Sequence, residues 1–274
     1  MKPATLFACS LSALVILSPL AHAQPETVSP ARQILRACAA TYQSLREFKG
    51  AARVISLSSI QVDQNAPGTV FDNADAEFDF VRNEHFNITG HDKGQKPFNI
   101  TSTPQKTTTT WPHQNNGRPK EVEDIEMAVA GFTGVAGGAP TTVPALLLDS
   151  GWGSPFSLKN EATLKGSEMF GGHECYVLAQ GNKAVTQTTT LWIDSKTFLL
   201  RGMREEESET SFPIPAPTGV EVPAGGFPKQ AKVLFGNQMH VFSIEKTVPA
   251  EAELESAAKK MVDSAALDTA LKAN

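Results

Sequence analysis

The segment CYVLAQGNKAVTQTTTLWIDSKTFLLRGM, residues 175–203, decides the fold. It is rich in β-branched and aromatic residues, which favour strands, and two short polar runs interrupt it. These runs are Gly181-Asn182-Lys183 and Asp194-Ser195-Lys196, both typical of turns. The segment therefore predicts an antiparallel meander of three strands, in which the Asp194 side chain caps the second turn.

Alternation along the middle strand of this meander assigns its side chains to two faces. Thr188, Thr190 and Trp192 share one face, and Thr189, Leu191 and Ile193 share the other.

A clearer alternation lies upstream, at residues 74–80, and indicates an antiparallel sheet with one buried face. Ala74, Ala76, Phe78 and Phe80 share one side, and Asp75, Glu77 and Asp79 share the other. Further strands are predicted at 51–62, 86–89, 98–103 and 106–111, and two more between 229 and 246, broken at Gly236-Asn237.

Helical periodicity frames these strands at both ends of the chain. Ser29-Pro30 is an N-cap followed by a first-turn proline, and apolar residues then recur at helical spacing up to Phe48. This pattern predicts a helix ending near Gly50. An alanine-rich C-terminal helix is predicted at about 249–271.

An uncharged insert separates the two groups of strands. No charged residue occurs between Met127 and Leu148, and a glycine-rich break at 131–138 divides the insert into two helical stretches. Glycine breaks occur both between packed core helices and in moving lids. Both interpretations stay open at this stage.

The N-terminus has the features of a secretory signal peptide. Lys2 precedes an apolar run at 11–17 that is too short for a lasting membrane anchor, and Ala21-His22-Ala23 is a small-x-small cleavage site. We expect cleavage after Ala23, which leaves residues 24–274 as a single domain in the periplasm or secreted. The net charge of −5 argues against a nucleic-acid partner.

Two cysteines remain after the predicted cleavage, Cys38 and Cys175. The compartment permits disulfides, so one possibility is a disulfide bond between these two residues. The alternative is a pair of buried, inert thiols. The sequence does not supply the Cα separation that decides between them.

No catalytic or cofactor motif is present in the sequence. It lacks a G-x-S-x-G elbow, an H-E-x-x-H pair, a phosphate-binding loop and a C-x-x-C motif. The histidines are scattered along the predicted loops and strand ends, so a metal site is not indicated. We therefore expect no enzyme, no cofactor and no metal.

Four stretches resemble the LolA/LolB-like superfamily of extracytoplasmic carriers: SLREFKGAARV, FDFVRNEHFNIT, CYVLAQ and TTTLWIDSKTFLLRGM. Within that superfamily the chain is most similar to the DUF2092-type predicted periplasmic proteins. The resemblance implies an α+β fold, an open antiparallel β-barrel or half-barrel. Its N-terminal helix precedes the sheet, and helices from the middle of the chain cover the concave face.

The resemblance also implies a hydrophobic cavity and a lid held by an arginine at the end of the second strand. One face of the meander would then line or support this cavity, and the other would meet solvent or a covering loop. Arg82 matches that arginine, although Asn83 stands where the superfamily has proline. The expected ligand-binding residues are Phe78, Phe80, Arg82, Phe86, Trp111, Phe132, Leu146, Leu147 and Trp192.

Two functions follow from this resemblance. The first is a periplasmic carrier for a hydrophobic ligand, either lipid or the acyl chains of a lipoprotein. The second is an envelope structural or sensing module that binds a partner protein through the same sheet and helices. A fold alone does not choose between them.

Overall fold

The computed structural model describes residues 28–61, 70–91, 97–112, 115–133, 142–148, 162–182, 187–206, 209–213 and 230–273. Within these ranges, none of the helices is long and apolar enough to cross a bilayer. The helices are α1 (Pro30–Ser44), α2 (Ile125–Thr133), α3 (Val143–Leu148), α4 (Glu251–Ala258) and α5 (Ser264–Ala273). The strands are β1 (Glu47–Gln61), β2 (Val70–Val81), β3 (His85–His91), β4 (Phe98–Ser102), β5 (Thr107–Thr110), β6 (Lys120–Val122), β7 (Ala162–Phe170), β8 (His173–Asn182), β9 (Gln187–Asp194), β10 (Leu200–Glu206), β11 (Glu209–Pro213) and β12 (Gln230–Val248).

These strands form one antiparallel sheet in the order β6-β5-β4-β3-β2-β1-β12-β10-β9-β8-β7, and β11 pairs with β12. The long strands β1 and β12 pair at the centre and join the first half of the chain to the second. Among the strands that the structure describes, β6 and β7 lie at opposite ends of this order, so the sheet does not close. The predicted α+β open half-barrel is confirmed.

One face of the sheet, called here the inner face, is buried beneath the helices. Its side chains follow cross-strand rows because directly paired residues point to the same side. One row runs from Ile100 through Ile88 to Phe78, and a second runs from Leu178 through Leu191. All five are at most 1% exposed, and they belong to one core with the apolar residues of α1.

The N-terminal helix begins as predicted but ends earlier. Ser29 accepts a hydrogen bond from the Arg32 amide, and Pro30 occupies the first turn. The helix stops at Ser44, not near Gly50, because Leu45 is extended and the Arg46 amide already pairs with Val248. Phe48, which fits the helical spacing, is therefore an inner-face residue of β1 and lies opposite Phe80.

Three elements of the second half differ from the sequence predictions. The two strands expected between 229 and 246 are one strand, β12, whose register against β1 shifts between Leu57 and Ser59. The C-terminal helix is two helices, because Asp263 accepts from the Ala265 and Ala266 amides and starts α5. Strand β7 lacks a clear alternation, since only Leu164 is buried along it, and was not predicted.

The second turn of the meander is built on Asp194, as predicted. Its carboxylate accepts from the Lys196 and Thr197 amides at 2.9 and 3.1 Å. It also accepts from the buried Arg201 guanidinium, which reaches Glu251 at the start of α4. Burial alone would raise the pKa of Asp194, but these hydrogen bonds and the Arg201 charge outweigh it and lower that pKa.

Candidate functional site

Phenylalanines line the inner face of the first half of the sheet. Phe80 of β2 and Phe86 of β3 are directly paired, and their rings meet edge to face at 5.5 Å between centroids. Phe78 lies one inward-facing position further along β2 and is 1% exposed. Three predicted ligand-binding residues therefore form one continuous apolar wall, as the alternation at 74–80 indicated.

Helix α2 seals one end of this wall with an aromatic cluster, defined as Phe98, Trp111 and Phe132. The Phe132 ring lies edge to face against Phe98 at 5.1 Å and 5.9 Å from Trp111. Phe132 can approach the sheet because β3 has a glycine beneath it. A Cβ atom at Gly90 would lie only 2.6 Å from the tip of the Phe132 ring.

We expect Gly90→Val to push α2 off the sheet and to lower the free energy of unfolding by about 1–3 kcal/mol, because the added methyl groups overpack a filled position. Urea denaturation measures this change. Gly181→Val is the matched control, since a Cβ atom at Gly181 has open space around it. Equal stability of the two variants would contradict the close packing of Phe132 on β3.

Helix α3 covers the neighbouring part of the inner face. Leu146 and Leu147 are 5% and 0% exposed, and α3 contacts α1 directly. The sequence of this helix, VPALLL, contains no polar side chain, so its burial needs no compensating hydrogen bonds. The prediction that mid-chain helices cover the concave face is confirmed by α2 and α3. The glycine-rich residues 134–141 between them lie outside the described residues.

Arg82 links this cover to the rest of the protein. Its Nε donates to the Leu45 carbonyl at 2.9 Å, and its Nη2 donates to the Tyr42 carbonyl at 3.2 Å. Nη2 also lies 3.5 Å from the carbonyl oxygen of Leu147 in α3. The guanidinium stands over the Phe80 ring at 5.1 Å. One side chain therefore joins the C-terminal end of α1, the last turn of α3 and the wall of the sheet.

The turn after β2 has a backbone geometry that asparagine can adopt and proline cannot. Asn83 has a φ of 63°, in the left-handed region that asparagine tolerates better than most residues. Proline is fixed near −65° and cannot adopt this angle. The Glu84 amide closes the turn on the Val81 carbonyl, so Arg82 is held at the strand end without the proline.

Trp192 is the predicted site residue that the structure does not bring together with the other eight. It lies on the side opposite Leu191, where its ring stacks on Phe170 at 4.9 Å. Its indole nitrogen donates to Glu168 at 2.5 Å. The sequence TTTLWID contained a signal for this, because Leu191 and Ile193 make the opposite face of β9 more apolar than the face of Thr188, Thr190 and Trp192.

A groove of about 270 Å³ opens beside the Arg82 turn. Phe80, Phe86, Ile125 and Leu148 supply its apolar surface, and Asn83 and Glu84 border it. It therefore leads from the surface to the junction between α2, α3 and the phenylalanine wall.

The two cysteines that remain after the predicted cleavage are both free and buried. Burial raises the pKa of the Cys175 thiol to about 12 and raises the pKa of Cys38 as well. Thiols that are protonated at neutral pH are poor nucleophiles. Within the described part of the chain, no group of three His, Cys, Asp or Glu side chains is placed to hold a metal ion.

Sequence reasoning missed two polar residues of the inner face, Gln180 and His240. Both are buried, and their side-chain nitrogens lack a hydrogen-bond partner in the protein. The only signal in the sequence was their position in phase with the apolar residues Leu178 and Phe242. In a sequence without the strand pairing, such residues look like ordinary surface positions.

Comparison with known proteins finds no matching family model and no matching curated protein. Among solved structures, a LolA superfamily protein from Nitrosomonas europaea is 12% identical, with 80% of this chain and 93% of that chain covered and a TM-score of 0.30. The lipoprotein LppX of Mycobacterium tuberculosis is 9% identical, with 80% and 96% covered and a TM-score of 0.39. The first of these two proteins is described as a member of the superfamily that the sequence of this chain resembles.

A third solved structure is the MucA/MucB complex of Pseudomonas aeruginosa. It is 13% identical, with 82% of this chain and 60% of that chain covered and a TM-score of 0.38. At identities this low the comparisons assign no function to the chain. The narrower likeness to the DUF2092-type proteins stays a prediction.

Proposed function

We propose that this protein is a periplasmic carrier or binding protein whose inner face takes a hydrophobic ligand, either lipid or lipoprotein acyl chains. The observation that carries the proposal is the Arg82 link, because its hydrogen bonds join the uncharged helix α3 to the C-terminal end of α1 above an apolar wall. Such a cover can be released without unfolding the sheet. Each methylene buried on that wall would contribute about 0.8 kcal/mol to binding.

The predicted signal peptide at residues 1–23 supports the compartment in this proposal, and it lies outside the described residues. The single domain at 24–274 likewise remains part of the proposal. No catalytic role is assigned. Neither buried thiol is activated, and Asp194 is engaged by two backbone amides, Arg201 and His173.

A second candidate function is favoured by the aromatic cluster. The rings of this cluster, Phe98, Trp111 and Phe132, pack against one another. Such packing is expected for a sensing module whose inner face is closed by its own side chains. Such a module would bind a partner protein on its outer surface.

Native mass spectrometry of the protein isolated from its own periplasm, followed by solvent extraction and lipid analysis, separates these functions. A stoichiometric lipid that departs on extraction supports the carrier. Protein that is repeatedly isolated without lipid, and whose melting temperature does not rise with added lipids or lipopeptides, supports the partner-binding module and contradicts the carrier.

We expect Arg82→Leu to speed hydrogen–deuterium exchange in residues 143–148, because the Leu147 and Leu45 carbonyls lose their donor. Hydrogen bonds to a charged group contribute about 1.5–3 kcal/mol each when buried, and Arg82 is only partly buried. A local effect of about 2 kcal/mol, or roughly 30-fold faster exchange, is therefore expected.

Arg53→Leu is the matched control for this experiment. Arg53 is an exposed arginine on β1 whose partner is the Asp75 side chain. In the strand register this pair lies far from α2 and α3, the helices that cover the inner face. Unchanged exchange at 143–148 in Arg82→Leu would contradict a tethering role for Arg82.

A further inference from the structure

Two buried polar side chains of the inner face are not satisfied by the protein. Within the described residues, the buried side-chain nitrogens without a hydrogen-bond partner belong to His240 (Nδ1 and Nε2) and Gln180 (Nε2). His240 is 0% exposed and Gln180 is 3% exposed. Burying such groups unpaired lowers stability, and folded proteins retain few of them. Their presence on the same face of the sheet therefore calls for a functional reason.

His240 lies in the middle of the inner face. It is directly paired with Met203 on β10 and with Val54 on β1, and both of these side chains are 1% exposed. Its ring is stacked near Phe242, at 6.3 Å between centroids. The imidazole is therefore an isolated polar group in an apolar row.

The inner face changes character one row further along the strands. There the paired positions are Gln180, Thr189, Glu205 and Gln238, whereas the previous row contains Leu178, Leu191, Met203 and His240. An apolar surface thus meets a polar one, and His240 stands at the boundary. An amphiphile is divided in the same way, into an apolar hydrocarbon chain and a polar linkage at its end.

Burial lowers the pKa of His240 to about 4, so its ring is neutral at physiological pH. A neutral imidazole offers one N–H donor and one nitrogen acceptor. The Gln180 amide offers a further donor on β8, which β9 and β10 separate from His240 on β12. These groups can satisfy a carbonyl oxygen and a hydroxyl or amide N–H, which hydrocarbon alone does not carry.

We propose that His240 is the polar anchor of the inner face and donates a hydrogen bond to the ester or amide carbonyl of an acylated ligand. This proposal rests on the proposed carrier function and narrows its ligand from hydrocarbon in general to acyl chains that retain their carbonyl. The chain of such a ligand lies on the apolar rows, and its polar end faces the row that contains Gln180 and Gln238.

The test compares two probes that differ only in the carbonyl group, 1-monopalmitoylglycerol and its ether analogue 1-O-hexadecylglycerol. Isothermal titration of the mature protein is expected to show about 3- to 10-fold tighter binding of the ester, the effect of one net hydrogen bond. His240→Phe is expected to bind both probes equally, because it keeps an aromatic ring but loses the donor. Met203→Leu, a change in the same row, is expected to keep the preference for the ester.

A second readout separates this role from a structural one. Because the unpaired imidazole lowers stability, His240→Phe is expected to raise the melting temperature by about 2–4 °C. A lower melting temperature would show that the ring is needed for folding and would overturn the proposal, as would an ester preference that persists in His240→Phe.

The titration also distinguishes failure of this inference from failure of the proposed function. If the unmodified protein binds the ester and the ether equally, the anchor is wrong and the carrier function stands. If it binds neither probe, both the anchor and the carrier function are overturned.

Discussion

Asp194→Ala is expected to lower the free energy of unfolding by about 3–5 kcal/mol, because it leaves a buried charge without its main partner. Arg201 is 5% exposed and donates two hydrogen bonds to the Asp194 carboxylate. The same change removes the acceptor of the Lys196 and Thr197 amides, so the turn between β9 and β10 loses its cap. Urea denaturation followed by circular dichroism measures the loss.

Asp75→Ala is the matched control, since Asp75 forms an exposed pair with Arg53 and such pairs contribute about 0–1 kcal/mol. A loss below 1 kcal/mol for Asp194→Ala would show that Glu251 alone suffices to balance Arg201. That outcome would contradict the central role assigned to Asp194.

The lowered pKa of Asp194 also fixes the sign of its pH dependence. In the unfolded chain this carboxyl titrates near pH 3.9, and in the folded protein it titrates below that. Its contribution to stability is therefore fully present above about pH 4 and is lost as the pH falls through the folded value. Asp194→Ala should depend less on pH than the unmodified protein in this acidic window.

Phe132→Ala is expected to have the second large effect, a loss of about 3–5 kcal/mol together with exposure of the inner face. The ring is 1% exposed and fills the space above Gly90, between Phe98 and Trp111. Binding of the fluorescent probe N-phenyl-1-naphthylamine should rise because α2 no longer seals the apolar wall. Denaturation and probe titration check the two parts separately.

Met127→Ala provides the control on the same helix, because the Met127 side chain is 60% exposed. It should change neither stability nor probe binding appreciably. If Phe132→Ala behaved like Met127→Ala, α2 would not be the seal of this face.

The strands and their faces could be predicted where alternation is strong. Residues 74–80 and 188–193 showed which side chains share a face, and the Asp194 turn was predicted from its sequence. The prediction failed where alternation is weak, as in β7, and where one spacing fits two structures. Phe48 continues the helical period of α1 but also alternates with Gly50 and Ala52 along β1.

The candidate site could be predicted only in part. Aromatic residues at strand positions indicated an apolar wall, and Phe78, Phe80, Phe86, Trp111 and Phe132 are part of one core. Trp192 was placed among the ligand-binding residues because it is a large aromatic residue on a strand, whereas the inner face of β9 is the one that carries Leu191 and Ile193. The contacts of Arg82 with Leu45, Tyr42 and Leu147 could be expected only through the resemblance, since they join residues 37, 40 and 65 positions away.

The sequence by itself determined the secondary-structure period, the uncharged character of residues 127–148, and the capped turn at Asp194, because these depend on neighbouring residues. Only the tertiary structure decided which rows meet across the sheet, and so placed His240 between Val54 and Met203. It also placed Phe132 over Gly90 and left Cys38 and Cys175 as separate thiols. The physical reason is that strand register and helix docking are fixed by burial of distant residues against one another, which local spacing does not encode.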